Sequence, residues 1–339
     1  MAATLKDVAE RAGVSSAAAS RILNNDASLS VPPETRQKVL DAAKALNYRK
    51  KQKSTVKSAY TMGILQWFSS LQELEDSYYL SIRQGIEDFC LSNCLNVIRT
   101  FKSDLNCMES LAQADGLICI GKFTADEVAL FKELTDSLLL IDMPSPDPET
   151  SSVTLDFEQA VFEALEYLYR LGHRDIAYLG GLEYLADGSL FPDSRRRAFA
   201  AYCEKRGITY LPYMKEEQFS SESGYRMMTE LIDSGRLPSA VFAASDPIAL
   251  GALNAAKEQG FKVPGDFSFI GFDDISLCRM SSPPLTTVHA PAYEMGQYGA
   301  GIVYHLLKTP FDTALHIKMP CRLALRDSCR EIRHKNQKI

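Results

Sequence analysis

Apolar residues in the first fifty positions recur at helical spacing. From Thr4 to Val14, Leu5, Val8, Ala9 and Ala12 fall on one side of a 3.6-residue turn, with Thr4 placed as an N-cap and Asp7 three residues on. Gly13 supplies the positive φ that ends such a helix and turns the chain. A second helix is predicted from Ser15 to Asn25, burying Ala19, Ile22 and Leu23. Its other face carries Ser16, Ala17, Ser20, Arg21 and Asn24, small polar or basic groups suited to a groove. A third runs from about Pro32 to Leu46, with Val39, Leu40, Ala43 and Leu46 facing inward. Two helices joined by a short glycine-containing turn form a helix-turn-helix, whose second helix enters the major groove of DNA. A helical hairpin with no DNA role would show the same apolar periodicity.

From Tyr60 the pattern changes to short apolar runs separated by amphipathic helices, the signature of a parallel α/β sheet. Strands are predicted at Met62 to Trp67, Asn96 to Thr100, Gly116 to Ile120, Leu138 to Asp142, Asp175 to Gly180, Ala240 to Ala244 and Phe267 to Phe272. Helices fall between them, at Tyr79 to Leu91, Phe157 to Leu171, Arg195 to Arg206, Gly224 to Ser234 and Ile248 to Glu258. The chain therefore divides into a helical head (1–48), a basic linker (49–59) and an α/β body (60–330).

Composition adds limits. At 339 residues and 46% hydrophobic, the chain can build two or three cores. No apolar run reaches the roughly 18 residues of a membrane span, and Met1 to Ser20 lacks the apolar segment of a secretory signal, so a cytoplasmic protein with no membrane partner is expected. The eight cysteines are scattered without a Cys-x-x-Cys pair, which reads as reduced thiols filling cores, with no metal bound. Charge is asymmetric. Residues 1–57 hold eleven Lys and Arg against five Asp and Glu, a net +6, while the whole chain is −6, leaving the body at −12. A basic head on an acidic body suits a phosphate-seeking module tied to something that must avoid polyanions, although a solvated basic terminus has the same composition.

Ligands of parallel sheets sit beyond the carboxyl ends of the strands. There the sequence places Asp142, the Ser245-Asp246 pair, the Asp273-Asp274 pair, and Arg195 at the opening of a helix. Carboxylates that accept hydroxyls, a forked guanidinium donor and flat rings (Trp67, Phe219, Phe272) are what a neutral polyol requires. An Asp after a strand also serves as a helix N-cap, and Asp246, directly before Pro247, reads as one. The five histidines show neither metal-ligand spacing nor pairing with a Ser or Cys nucleophile, and there is no glycine-rich phosphate loop. An enzyme and a cofactor are not expected. A sugar-binding protein or sugar-modifying enzyme with a non-DNA-binding head is the alternative.

TLKDVAERAGVS, SRILNN and ETRQKVLDAAKALNY, in this order and spacing, resemble the head of the LacI/GalR family of bacterial regulators. The segments LEYLYRLGHRDIAYLGG, VFAASDPIALGAL, IGFDDI and PPLTTVHAP resemble markers of that family's body, so the similarity covers nearly the whole chain. The resemblance implies a helix-turn-helix followed by a periplasmic-binding-protein-like core of two parallel-sheet lobes. It also implies a homodimer on double-stranded operator DNA, with a small sugar effector between the lobes. One lobe would comprise about 60–155 plus 291–319 and the other about 156–290 plus 320–330. Implied DNA contacts are Thr4, Ser15, Ser16, Ala17, Ser20, Arg21 and Asn24, with Ser16 and Ala17 at the base-choosing positions. Implied effector contacts are Asp142, Arg195, Phe219, Ser245 and Asp273, and Trp67 joins them as a candidate from the residue reading above. Ser245 stands where many members have Asn, and Ala18-Ala19 where they usually have Thr-Val. Further resemblance in DSYYLSIRQGIEDFC, GKFT and FSSESGY points to galactoside-responsive members and a galactoside effector.

The linker RKKQKSTVKSAYT departs from the family, which usually carries Pro-Asn and an Ala-Arg-x-Leu hinge helix there. Lys50 and Lys51 would contact phosphates, and Val56 is the only candidate for a minor-groove wedge; a solvated linker fits the same composition. The tail after Arg330 shows no leucine heptads, so no tetramer built by a terminal coiled coil is expected.

Overall fold

A computed structural model describes residues 3–23, 31–46, 48, 60–69, 72–73 and 76–332. The chain separates into two compact units, Met1–Lys57 and Ser58–Ile339.

The first unit holds α1 (Leu5–Ala12), α2 (Ser16–Leu23) and α3 (Pro33–Ala45). Thr4 and Asp7 close a reciprocal capping box at the start of α1: the Asp7 N–H donates to Thr4 Oγ1 at 3.3 Å and the Thr4 N–H to Asp7 Oδ2 at 2.7 Å. Gly13, at φ 66°, ends the helix in the left-handed conformation. Val8, Ala9, Ala19, Ile22, Val39 and Ala42 form the buried centre, where alanines at the crossings let the helices approach closely. Leu40, expected to face inward, is 43% exposed. Val39, Ala42, Ala43 and Leu46 define the inner stripe at i, i+3, i+4 and i+7, and position 40 lies one residue off it.

The second unit is built on two six-stranded sheets. In the first half the order is β1 (Thr61–Gln66), α4 (Ser77–Ser92), β2 (Asn96–Phe101), α5 (Cys107–Leu111), β3 (Gly116–Ile120), α6 (Ala125–Leu134), β4 (Leu138–Ile141) and β5 (Ser151–Leu155). Then follow α7 (Phe157–Arg170), β6 (Ile176–Gly181), the β7–β8 hairpin (Glu183–Tyr184, Leu190–Phe191), α8 (Ser194–Arg206) and β9 (Met214–Glu217). The remainder is α9 (Ser221–Asp233), β10 (Ala240–Ala243), α10 (Asp246–Glu258), β11 (Ser268–Asp273), α11 (Leu277–Met280), β12 (Thr286–His289), α12 (Ala292–Lys308), β13 (His316–Met319) and β14 (Arg322–Ala324).

One sheet runs β13-β5-β4-β3-β1-β2, all parallel; the other runs β14-β12-β11-β10-β6-β9, with only β14 antiparallel. The chain passes from the first sheet to the second after β5, returns after β12, and crosses again between β13 and β14. Two lobes joined by three connections result, a hinge-capable arrangement.

Strands buried on both faces, such as β3 and β4, read as continuous apolar runs and are visible in the sequence. Strands absent from the sequence reading are polar. In β5, Ser151 and Ser152 are buried because Ser151 Oγ accepts the Leu315 N–H at 3.0 Å and Ser152 Oγ lies 3.0 Å from His316 Nδ1. The edge strands β9 (MKEE) and β13 (HIKM) carry charged and polar residues beside few apolar ones.

Within each lobe two helices meet at backbone contact. A Cβ on Gly85 of α4 would stand 2.0 Å from the Tyr293 carbonyl oxygen of α12, and one on Gly251 of α10 would stand 1.8 Å from that of Ser221 of α9.

Candidate functional site

In the head, Ser15, Ser16, Ala17 and Arg21 are exposed and Ser20 is half-buried, so the outer face of α2 is a row of small groups and one guanidinium. Ser15 Oγ accepts the Ala18 N–H at 3.1 Å and so caps α2; Thr4 is engaged in the capping box but exposed. Asp7, accepting the Thr4 N–H, is held below the usual carboxylate range. Asn24, Lys50, Lys51 and Val56 lie outside the described residues.

In the body, the carboxyl ends of β1, β4, β6, β10 and β11 surround a narrow cavity of about 30 Å³. Its centre is Arg195, near the start of α8. Asp193 caps that helix by accepting the Arg195 N–H at 2.8 Å, and the same carboxylate accepts Arg195 Nε at 3.0 Å. Arg195 Nη1 donates to the Ala244 carbonyl at 2.7 Å. The guanidinium carbon lies 4.9 Å from the Phe219 ring centre, 5.3 Å from Phe157 and 5.5 Å from Phe272. Nη2 has no hydrogen-bond partner among the described residues, so a locked, largely buried guanidinium presents free N–H groups to the cavity.

Around it stand Asp76, Asp142, Glu183 and Asp273. Asp142 leaves β4 at φ 70°, and its carboxylate accepts the hydroxyls of Tyr78 at 3.0 Å and Tyr79 at 2.8 Å while pairing with buried Lys122. Three of its four lone-pair directions are thereby occupied. Asp273 ends β11 at φ 115°, a strained conformation for a non-glycine residue, and its carboxylate accepts no hydrogen bond among the described residues. Burial, and then the neighbouring carboxylates of Asp76 and Asp246, push its pKa well up. Burial likewise raises Asp76 and Glu183. The cavity therefore holds more acceptor capacity than the chain itself uses.

Of the residues singled out from sequence, Asp142, Arg195, Phe219, Ser245 and Asp273 line this cavity together. Trp67 does not; it lines the open cleft outside, and Phe68 occupies the inner position. Phe272, expected as a platform, is fully buried beneath Phe157 (ring centres 5.7 Å), which takes the exposed place. Ser245, not Asp246, is the N-cap of α10. Asp246 is buried one residue further in, accepting the Thr287 hydroxyl at 2.5 Å and the Ile275 N–H at 2.9 Å, and burial raises it to about 7.

Sequence reasoning missed Phe68, Asp76, Tyr78, Tyr79, Lys122, Phe157 and Glu183. Lys122 follows β3 as Asp142 follows β4, so the rule that found Asp142 could have found it. Glu183 follows β6 in the same way, whereas Phe157 enters at a lobe crossing and carries no local signal. The histidines serve contacts elsewhere: His173 lies 2.9 Å from Ser239 Oγ, and His289 lies 3.0 Å from Asp274 Oδ2.

A family model described as bacterial regulatory proteins, lacI family, matches residues 4–51, and one for a periplasmic binding protein-like domain matches residues 165–329. The HTH-type transcriptional regulator GalR of Streptococcus thermophilus is 36% identical over 330 residues, covering 96% of this chain and 99% of its own. The chain belongs to the LacI family. GanR, an HTH-type transcriptional regulator of Bacillus subtilis (strain 168), is 37% identical over 300 residues, 86% of this chain and 89% of its own. Among solved structures, the lac repressor dimer bound to operator and the anti-inducer ONPF superposes with a TM-score of 0.69 at 27% identity, covering 97% of this chain and 100% of that one. As a LacI-family protein it is a DNA-binding transcriptional regulator, with a helix-turn-helix head and a two-lobed α/β body. Among the described residues, no helix is long and apolar enough to cross a membrane.

Proposed function

We propose that this LacI-family regulator is a dimeric repressor whose hold on operator DNA is controlled by a neutral sugar, of galactoside type, bound between the lobes. The observation that carries the reading is the pairing of Arg195, fixed by Asp193 and the Ala244 carbonyl, with acidic groups whose acceptor sites the chain leaves open. Sugar hydroxyls donate to Asp273 and Glu183 and accept from Arg195, while Phe157 and Phe219 meet the C–H faces of the ring. Asp142, largely occupied by Tyr78, Tyr79 and Lys122, positions those groups and keeps one acceptor direction open. An excess of carboxylates over cations disfavours sugar phosphates and uronates.

The galactoside rests on two supports: the kinship to regulators named GalR and GanR, and the likeness of DSYYLSIRQGIEDFC, GKFT and FSSESGY to the repressor of the evolved β-galactosidase operon. A recognition helix covers one half-site, so two chains meet a near-palindromic operator. The exposed face of α2, led by Ser16 and Ala17 with Arg21 beside them, makes modest base contacts, and Lys50 and Lys51 add phosphate contacts. Sugar closing the lobes alters the distance between the two heads and releases the DNA. Arg195→Ala tests the reading: in fluorescence anisotropy it should hold operator within about threefold of the parent affinity, yet fail to release it with any galactoside. Release at parental sugar concentrations would sink the pocket assignment.

A further inference from the structure

The β7–β8 hairpin belongs to neither six-stranded sheet. Both of its ends join the lobe of β6, and its turn is closed from within: the Leu185 N–H donates to the Ser189 carbonyl at 2.9 Å, Asp187 accepts the Ser189 N–H at 2.9 Å, and Gly188 turns the chain at φ 80°. Its last residue nevertheless packs on the other lobe. Phe191 lies against the apolar cluster of the β1 lobe that includes Leu65, Leu117, Phe123 and Leu140, and Lys122 Nζ of that lobe stands 5.3 Å from the centre of its ring. The same ammonium pairs with Asp142 on its own side, and Glu183, the first residue of the hairpin, lines the inner cavity where the Lys122 charge acts on it. Three connections join the lobes covalently; the hairpin adds a fourth tie, noncovalent, across the mouth of the cleft.

We infer that the β7–β8 hairpin is a latch on the cleft, with Phe191 as the residue that holds it shut and its release from the β1 lobe as the step that controls sugar entry and exit. This rests on the sugar-binding reading above. The inner cavity, about 30 Å³, has room for roughly two waters, so a sugar ring enters only when the lobes part. Parting them draws Phe191 off its apolar seat and lets water reach the Lys122–Asp142 pair. Phe191 lies beside the inner cavity and not in its lining, so it acts through the position of the lobes and not by touching the guest. The cost of unseating it falls on the open state through which a guest passes in either direction, and the latch seats again afterwards. Arrival and departure are slowed alike, and Kd is nearly unmoved.

Trp67, the single tryptophan of the chain, packs on the same cluster as Phe191 and lines the outer cleft beside Tyr184, so its fluorescence reads the latch without any sugar. In the full chain, Phe191→Ala should raise acrylamide quenching of Trp67 at least twofold. Phe191→Leu, which shortens the side chain and keeps it apolar, should fall between the two, and carries the comparison if Phe191→Ala does not fold. Stopped-flow mixing with methyl β-galactoside should show association and dissociation both at least fivefold faster in Phe191→Ala, with Kd within threefold of the parent. Equal quenching in parent and variants, or unchanged exchange rates, overturns the latch; so does a change confined to dissociation, which would make Phe191 a direct sugar contact. If the parent binds no methyl β-galactoside, the sugar reading falls and the quenching result alone decides the latch.

Discussion

At the scale of single residues, the proposed binding cleft holds backbone strain and buried acids that cost stability. Asp273 sits at φ 115° with burial and neighbouring acids raising its pKa, so the folded state disfavours its charged form. Asp273→Asn removes that charge, and Asn tolerates positive φ. The variant should gain about 1 kcal/mol, raising Tm by roughly 1 to 2 °C in a chain of this size, while losing sugar affinity at least tenfold by calorimetry. A lower Tm would contradict the idea that this carboxylate is kept for a ligand. His173 works in the other direction. It is buried between Ser239 and the Arg330 carbonyl, and burial lowers its pKa to about 4 from 6.5. The folded chain then binds fewer protons than the unfolded chain between those values. Its contribution is complete above pH 6.5 and lost as pH falls toward 4, up to about 3 kcal/mol in all. Urea unfolding from pH 7.5 to 4.5 should show a steeper loss in the parent than in His173→Gln, and parallel curves would exclude this role.

At the scale of elements, the two lobes solve one packing problem in the same way. α4 crosses α12 at Gly85 and α9 crosses α10 at Gly251, each where a Cβ would meet a carbonyl oxygen at about 2 Å. Backbone oxygens cannot move aside as a flexible side chain can, so the helices would have to separate. Gly251→Ala should cost about 3 kcal/mol or more in urea unfolding, and a loss under 1 kcal/mol would mean the helices slide freely. The helices themselves were legible: Phe157 to Leu171 from its apolar stripe, and Ser194–Arg206 nearly to its ends. α12 was not anticipated, and neither were β5, β9, β12 and β13. β5 buries serines satisfied by partners more than 160 residues away, so local hydrophobicity carries no trace of its burial. The glycine contacts were invisible for a similar reason, since the partner of Gly85 lies some 200 residues on.

At the scale of the whole molecule, a DNA-reading unit and a sugar-reading unit on one chain must influence each other equally. If galactoside weakens operator affinity by a given factor, operator must weaken galactoside affinity by the same factor. Calorimetric titration of the sugar with and without saturating operator should return that factor, and an unchanged sugar Kd beside sugar-dependent DNA release would rule out linkage through one equilibrium. The charge division fits such a machine: the net +6 of residues 1–57 favours phosphates, and the −12 of the remainder keeps the body off them.

The sequence alone determined the helix-turn-helix, the alternating α/β body and the positions just beyond the strands where polar side chains gather. Those follow from periodicity, capping and turn chemistry, which act over a few residues. Tertiary structure decided which of those side chains face one cavity. It tied up Asp142 with two tyrosines and a lysine, buried Phe272 and put Phe157 in its place, made Ser245 the cap and drew Asp246 inward. Apart from the Ser245 cap, which accepts the Ile248 N–H three residues on, those outcomes depend on groups brought together from distant parts of the chain, and no local pattern encodes a neighbour that only folding supplies.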